Sequence, residues 1–138
     1  AASDVYKRQT LLGGTGGDLI RGDGGNDLLI GGHGVDVLRG SFGQDTLIGG
    51  NYDFATDTIS NDGAADIYVL EENAGLDTVR GYGKNKDKIG LLGIDQSSLD
   101  LTVSNGNTLI SLNGNDLMVL EGFTNVAQLS FTTDFATI

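Results

Sequence analysis

The chain has 138 residues, a formal net charge of −11, no cysteine, no proline, no tryptophan and 23 glycines. This composition excludes a disulfide framework and thiol chemistry, no apolar run approaches the length of a membrane span, and the acidity repels nucleic acid and anionic membranes while attracting cations. The length suits one domain, or one domain with a cap.

The first nine residues, "AASDVYKRQ", resemble the translated end of a transposon adapter used to prepare sequencing libraries. Residues 1–9 are therefore expected to be an artefact outside the fold, leaving a piece of a longer gene whose leader is undetermined. From Gly13 the chain keeps a period of nine: "GGTGGDLIR" from Gly13, "GDGGNDLLI" from Gly22, "GGHGVDVLR" from Gly31 and "GSFGQDTLI" from Gly40. Each copy carries an aspartate (Asp18, Asp27, Asp36, Asp45) and, two places later, an aliphatic (Ile20, Leu29, Leu38, Leu47). "TLL" at Thr10–Leu12 fits the end of a preceding copy, with Gln9 in its aspartate slot. "GGNYDFATDTIS" from Gly49 reads as an expanded fifth copy with Asp57 and Ile59. "NDGAADIYV" from Asn61 is a sixth with Asp66 and Tyr68, and "GLDTVRG" repeats the tail with Asp77 and Val79.

Beyond about residue 80 the rhythm fades. "DKIGLLGI", "LDLTVS", "TLISLN" and "DLMVLEGF" read as strands. "NGN" at Asn105–Asn107 and "NGND" at Asn113–Asp116 read as hairpin turns, because Asn and Gly accept positive φ cheaply. "TNVAQL" predicts a short helical turn with Thr124 as N-cap. The expected organisation is a repeat stack over residues 10–60 and a β cap with degenerate repeats over 61–138, since repeat arrays need a capped end.

Physical chemistry gives the rhythm a purpose. Three residues such as "LIR" form a short strand, and six such as "GGTGGD" reverse the chain through positive φ values that suit glycine. Two copies make one flattened coil, so same-side loops stack about 4.8 Å apart. A calcium–oxygen bond is about 2.4 Å, so one ion between stacked loops reaches oxygens from both. Glycines leave backbone carbonyls open, and aspartate supplies the anionic ligand. Two carboxylates about 5 Å apart repel by roughly 3 kcal/mol at an effective dielectric near 20. One aliphatic per nine residues makes a core too thin to offset the ordering entropy. A cation is therefore expected to be part of the fold.

The pattern G-G-x-G-x-D-x-U-x, with U aliphatic, resembles the repeats-in-toxin (RTX, hemolysin-type) calcium-binding nonapeptide, strongly over Thr10–Val79. The resemblance implies an all-β fold: a parallel β-roll of calcium-binding repeats followed by a C-terminal cap of strands and hairpins. It implies Ca2+ between loops two copies apart, pairing Asp18 with Asp36, Asp27 with Asp45, Asp36 with Asp57 and Asp45 with Asp66. Carbonyls of the first four loop positions (Gly13, Thr15, Gly22, Gly24, Gly32, Gly34, Gly40 and Gly43) would complete each shell. It further implies a secreted, extracellular protein, a type I secretion signal for which "TTDFATI" is the candidate, and an upstream passenger. The implied function is a non-catalytic module that folds on meeting extracellular calcium. The alternatives are the tail of a secreted enzyme (protease, lipase or alginate epimerase) or an adhesin module that binds a polysaccharide or surface.

Other residues read blandly. His33, the single histidine, occupies a variable loop position, and without cysteine neither a zinc triad nor a Cys/His nucleophile can be assembled. No phosphate-binding loop or EF-hand is spelled. Asp53 is expected to be exposed, Lys84, Lys86 and Lys88 to form a solvated turn, and Tyr52, Phe54, Tyr68 and Tyr82 to pack where the repeats meet the cap.

Overall fold

The computed structural model describes residues 8–60, 64–72, 75–82 and 87–133. Residues 1–7, Lys84, Lys86 and most of the "TTDFATI" ending lie outside the described residues.

Three-residue strands alternate with six-residue turns, as the repeat predicts: β1 (Thr10–Leu12), β2 (Leu19–Arg21), β3 (Leu28–Ile30), β4 (Val37–Arg39) and β5 (Thr46–Ile48). Odd strands stack in one parallel sheet and even strands in another. A β-hairpin, β6 (Asn51–Asp53) and β7 (Thr58–Ser60), then leaves the stack. The coil resumes with β8 (Ile67–Glu71), β9 (Asp77–Arg80) and β10 (Lys88–Leu92). An antiparallel meander, β11 (Leu99–Ser104), β12 (Asn107–Leu112) and β13 (Asn115–Glu121), and the short β14 (Phe131–Thr132) complete the chain. The finished sheets run β1-β3-β5-β9-β13-β12-β11 and β14-β10-β8-β4-β2. The fold is thus all-β, a parallel roll closed by a capping meander, and both sheets continue across residue 60 without a break.

Register explains the aliphatic rhythm. On the larger sheet Leu11, Leu29, Leu47, Val79 and Leu120 align side by side. On the other, Ile20, Leu38, Tyr68, Ile89 and Phe131 do the same. These two rows face each other as the core, with Leu29, Leu38, Leu47, Tyr68, Val79, Ile89 and Leu120 fully buried. Both Asn-Gly turns form with positive φ at Asn105 and Gly106 and at Asn113 and Gly114, the geometry of a tight two-residue hairpin.

Four expectations are corrected. The segment from Gly49 to Ser60 is not an expanded coil: it pairs with itself as an antiparallel hairpin, and Asp57 is exposed at φ +52°. Tyr52 and Phe54 contact each other on that hairpin, Phe54 exposed, while Tyr68 is buried beside Tyr82, and Tyr82 beside Phe123. The late turn is a 3-10 turn over Val126–Gln128 led by Asn125, with no side-chain cap bond, so Thr124 is not its cap. Finally, Gln9 belongs to the fold. Its N–H donates to Asp27 Oδ1 at 2.9 Å and its carbonyl accepts from Leu28 N–H at 2.9 Å. Both contacts are backbone on the Gln9 side, so any residue in that slot makes them.

Candidate metal centre

The aspartates form two ladders, one on each side of the roll. On the first, Asp18 N–H donates to Asp36 Oδ1 at 2.9 Å, Asp36 N–H to Asp66 Oδ1 at 2.9 Å, and Asp66 N–H to Asp87 Oδ1 at 2.9 Å. On the second, Asp27 N–H donates to Asp45 Oδ1 at 2.8 Å and Asp45 N–H to Asp77 Oδ1 at 3.0 Å, below the Gln9 rung. Each carboxylate thus clips the preceding coil with one oxygen. The expected pairs of Asp18 with Asp36 and Asp27 with Asp45 are adjacent rungs. The expected pairs of Asp36 with Asp57 and Asp45 with Asp66 are not. Asp57 lies on the hairpin, held by Arg80 at 3.1 Å and by the Tyr52 hydroxyl at 2.5 Å, and Asp66 stacks on Asp36 instead. Removing the looped-out hairpin from the count restores the 18-residue spacing between Asp36 and Asp66, whereas Asp77 and Asp87 join the ladders at longer intervals.

The second carboxylate oxygens decide whether a cation fits. Oδ2 of Asp18, Asp27 and Asp45 is shielded from water and has no hydrogen-bond partner among the described residues. Three such orphaned anionic oxygens in a protein interior are expensive. Each points at the first glycine of its own loop: a Cβ added to Gly13 would lie 2.7 Å from Asp18 Oδ2, and the corresponding distances are 2.8 Å for Gly22 with Asp27 and 2.4 Å for Gly40 with Asp45. Glycine at loop position one is therefore room for a carboxylate oxygen.

Positions two and four explain the remaining glycines. Gly32 follows the left-handed backbone at φ +86° and lies so close to the preceding loop that a Cβ would meet Gly14 O at 2.3 Å. The same approach holds Gly34 over Gly16 O and Gly43 over Gly25 O, at 2.5 and 2.1 Å from an added Cβ. Thr15 and Gly24 occupy third positions, Thr15 exposed and Gly24 half-buried. Hard oxygen donors, carboxylate and carbonyl, stacked at the spacing of neighbouring strands are the donor set that calcium takes.

Burial sets the charge state of the ladder. Asp45 is pushed up to about 7 and Asp77 to about 8, first by desolvation, with the charge of Asp27 adding to it at Asp45 and the charge of Asp45 at Asp77. A bound divalent cation reverses this, because it favours the ionised form.

A test follows from the sign. The folded, metal-free chain holds protons on these groups between their ordinary value of 3.8 and about 8, where the unfolded chain has lost them. Their contribution to stability is therefore greatest near pH 4 and falls as pH rises to 8. Strand content in EDTA, followed by circular dichroism, should decline over that range. With saturating calcium it should hold or rise, because the ion binds the deprotonated form.

Residues 12–47 match the model of the RTX calcium-binding nonapeptide repeat in four copies. These residues are RTX repeats. RTX nonapeptide repeats bind calcium ions, so the repeat region is a calcium-binding module and calcium is its cofactor. Among solved structures, the chain resembles the AlgE6R3 subunit of the Azotobacter vinelandii mannuronan C5-epimerase, with a TM-score of 0.63 and 25% identity over 97% of this chain and 84% of that one. The AlgE6R2 subunit of the same epimerase matches with a TM-score of 0.49 and 21% identity over 92% and 95%. The extracellular lipase LipA of Serratia marcescens matches with a TM-score of 0.43 and 18% identity over 89% of this chain and 21% of that one. No curated protein sequence matches the chain. RTX repeat proteins are typically secreted, and no helix among the described residues is long and apolar enough to cross a membrane.

Proposed function

We propose that the chain is a calcium-gated folding module of a secreted protein. The observation that carries this reading is the set of buried, unpartnered carboxylate oxygens at Asp18, Asp27 and Asp45, each facing a glycine-lined loop. Asp18 with Asp36 and Asp27 with Asp45 would hold the best-built ion sites, because both loops of each pair keep glycine at positions one and four. Carbonyls from Gly13, Thr15, Gly22, Gly24, Gly32, Gly34, Gly40 and Gly43 would complete these shells. Asp36 with Asp66 and Asp45 with Asp77 would extend the ladders toward the cap. Calcium supplies the positive charge that the stacked carboxylates need in order to approach.

At low intracellular calcium the carboxylates repel and the thin core leaves the repeats loose, a state suited to passage through a type I secretion channel. At millimolar calcium outside the cell the roll folds from its cap and gives an upstream passenger a structured neighbour. The likeness to a module of an epimerase supports an enzyme as that passenger.

The experiment is an export assay. A passenger enzyme fused ahead of this chain is secreted into medium buffered at micromolar or millimolar calcium. The expected result is equal export and several-fold more active passenger at the higher level. Equal activity at both levels would leave the roll without a role in passenger folding.

A further inference from the structure

We infer that a cavity of 220 Å³ at the rim of the five-stranded sheet binds a single neutral sugar ring. It is lined by Asp23, Ser41 and Phe42, the second and third positions of the loops that end in Asp27 and Asp45, and not by those two aspartates themselves. Arg39 lines it, its guanidinium fixed to Glu71 by two bonds of 2.9 Å, with both side chains largely buried. Arg21, 3.6 Å from Asp23, and Glu72 line it as well. Phe42 lines the opening with a phenyl ring that is 68% exposed, an unusual place for so large an apolar group in a loop otherwise built of small residues.

The backbone points to the same spot. The second position of the turn is left-handed in every clean copy. On the opposite side of the roll it is Gly14 and Gly32, which adopt that conformation freely. On the cavity side it is Asp23 at φ +63° and Ser41 at φ +65°. Both line the cavity. Two polar side chains have thus replaced the sterically free residue at this one place, and such outliers mark sites of use. The Ser41 hydroxyl is shielded from water and has no hydrogen-bond partner among the described residues; turning the side chain about χ1 toward the cavity would let a ligand hydroxyl satisfy it.

Chemistry narrows the ligand. The cavity is smaller than the about 300–1,000 Å³ of a drug-sized site, so it takes one ring. Its two guanidinium groups face three carboxylates, which disfavours a polyanion. Its lining offers both donors (Arg21, Arg39, Ser41) and acceptors (Asp23, Glu71, Glu72), the two kinds of partner that a ring of hydroxyls needs. The exposed phenyl face, with its negative quadrupole, suits the C–H face of a pyranose.

The test is a titration of the calcium-loaded chain with methyl β-D-glucopyranoside, methyl β-D-galactopyranoside and methyl α-D-mannopyranoside, with methyl β-D-glucuronide as the charged comparison, followed by amide chemical shifts. At least one neutral glycoside should give saturable shifts confined to the turn from Arg39 to Phe42 and to Glu71 and Glu72. Phe42→Ala removes an exposed ring and should weaken binding by about tenfold or more. Ser41→Gly restores the residue that the backbone prefers and should weaken binding by about threefold. Calcium-induced folding, read by circular dichroism on the same samples, should be unchanged in both. No saturable shift with any neutral glycoside, tighter binding of the glucuronide, or undiminished binding by Phe42→Ala would overturn the assignment.

Discussion

Replacing Asp36 by asparagine is expected to lower calcium affinity by about tenfold or more, whereas the same change at Asp57 leaves it within about twofold. Asp36 stands in the interior of its ladder, accepting Asp18 N–H and donating its own N–H to Asp66, so an ion on either side meets it. Asparagine keeps the shape and an Oδ1 acceptor but removes the charge that a hard dication needs. Repulsion along the ladder also falls, so the metal-free chain should be no less stable than the parent. Asp57 makes surface contacts to Arg80 and Tyr52, which solvent screens, and asparagine tolerates its positive φ. Calorimetric calcium titration of the two variants decides. Equal losses would return Asp57 to the ladder.

A second large effect is expected at Gly43. Gly43→Ala should lower the midpoint of thermal unfolding in calcium far more than Gly16→Ala. Both residues are left-handed, at φ +104° and +86°, so both substitutions incur the same strain of about 1–2 kcal/mol. At Gly16 the new methyl meets nothing within 4 Å, whereas at Gly43 it would sit 2.1 Å from Gly25 O. The loops must separate to admit it, adding about 1–3 kcal/mol and pulling apart the stack on which the ion sites depend. If the two variants melt together, close loop stacking is not what selects glycine at position four.

The repeat was legible because its two demands are local. A residue that must face a thin core recurs every nine positions, and Leu29, Leu38 and Leu47 are fully buried. A turn that must reverse the chain displays glycine, and the alignment of Asp18 with Asp36 and of Asp27 with Asp45 follows from the period alone. The hairpin was not legible. "DTI" at Asp57–Ile59 spells the aspartate-to-aliphatic interval of a repeat, but three residues fit an antiparallel strand equally well. Only pairing with Asn51–Asp53 reveals which they joined. The misplaced rungs follow from that: once the hairpin is read as a coil, Asp66 falls on the wrong ladder. Asp77 shows in the sequence as a repeat tail but not as a rung, and Asp87 does not show at all, for a different reason. A rung is selected by strand register, in which Thr46 meets Thr78 and Ile67 meets Lys88, and register at that distance is a property of the assembled sheet.

The central claim is that calcium is part of the fold. Far-ultraviolet circular dichroism of the whole chain, first in EDTA at pH 8 and then with several millimolar calcium, tests it most directly. The account predicts a largely disordered spectrum in EDTA and a cooperative rise in strand signal with calcium, which equal magnesium does not reproduce because that smaller ion demands tighter octahedral geometry. A strand-rich spectrum in EDTA that calcium leaves unchanged would contradict it.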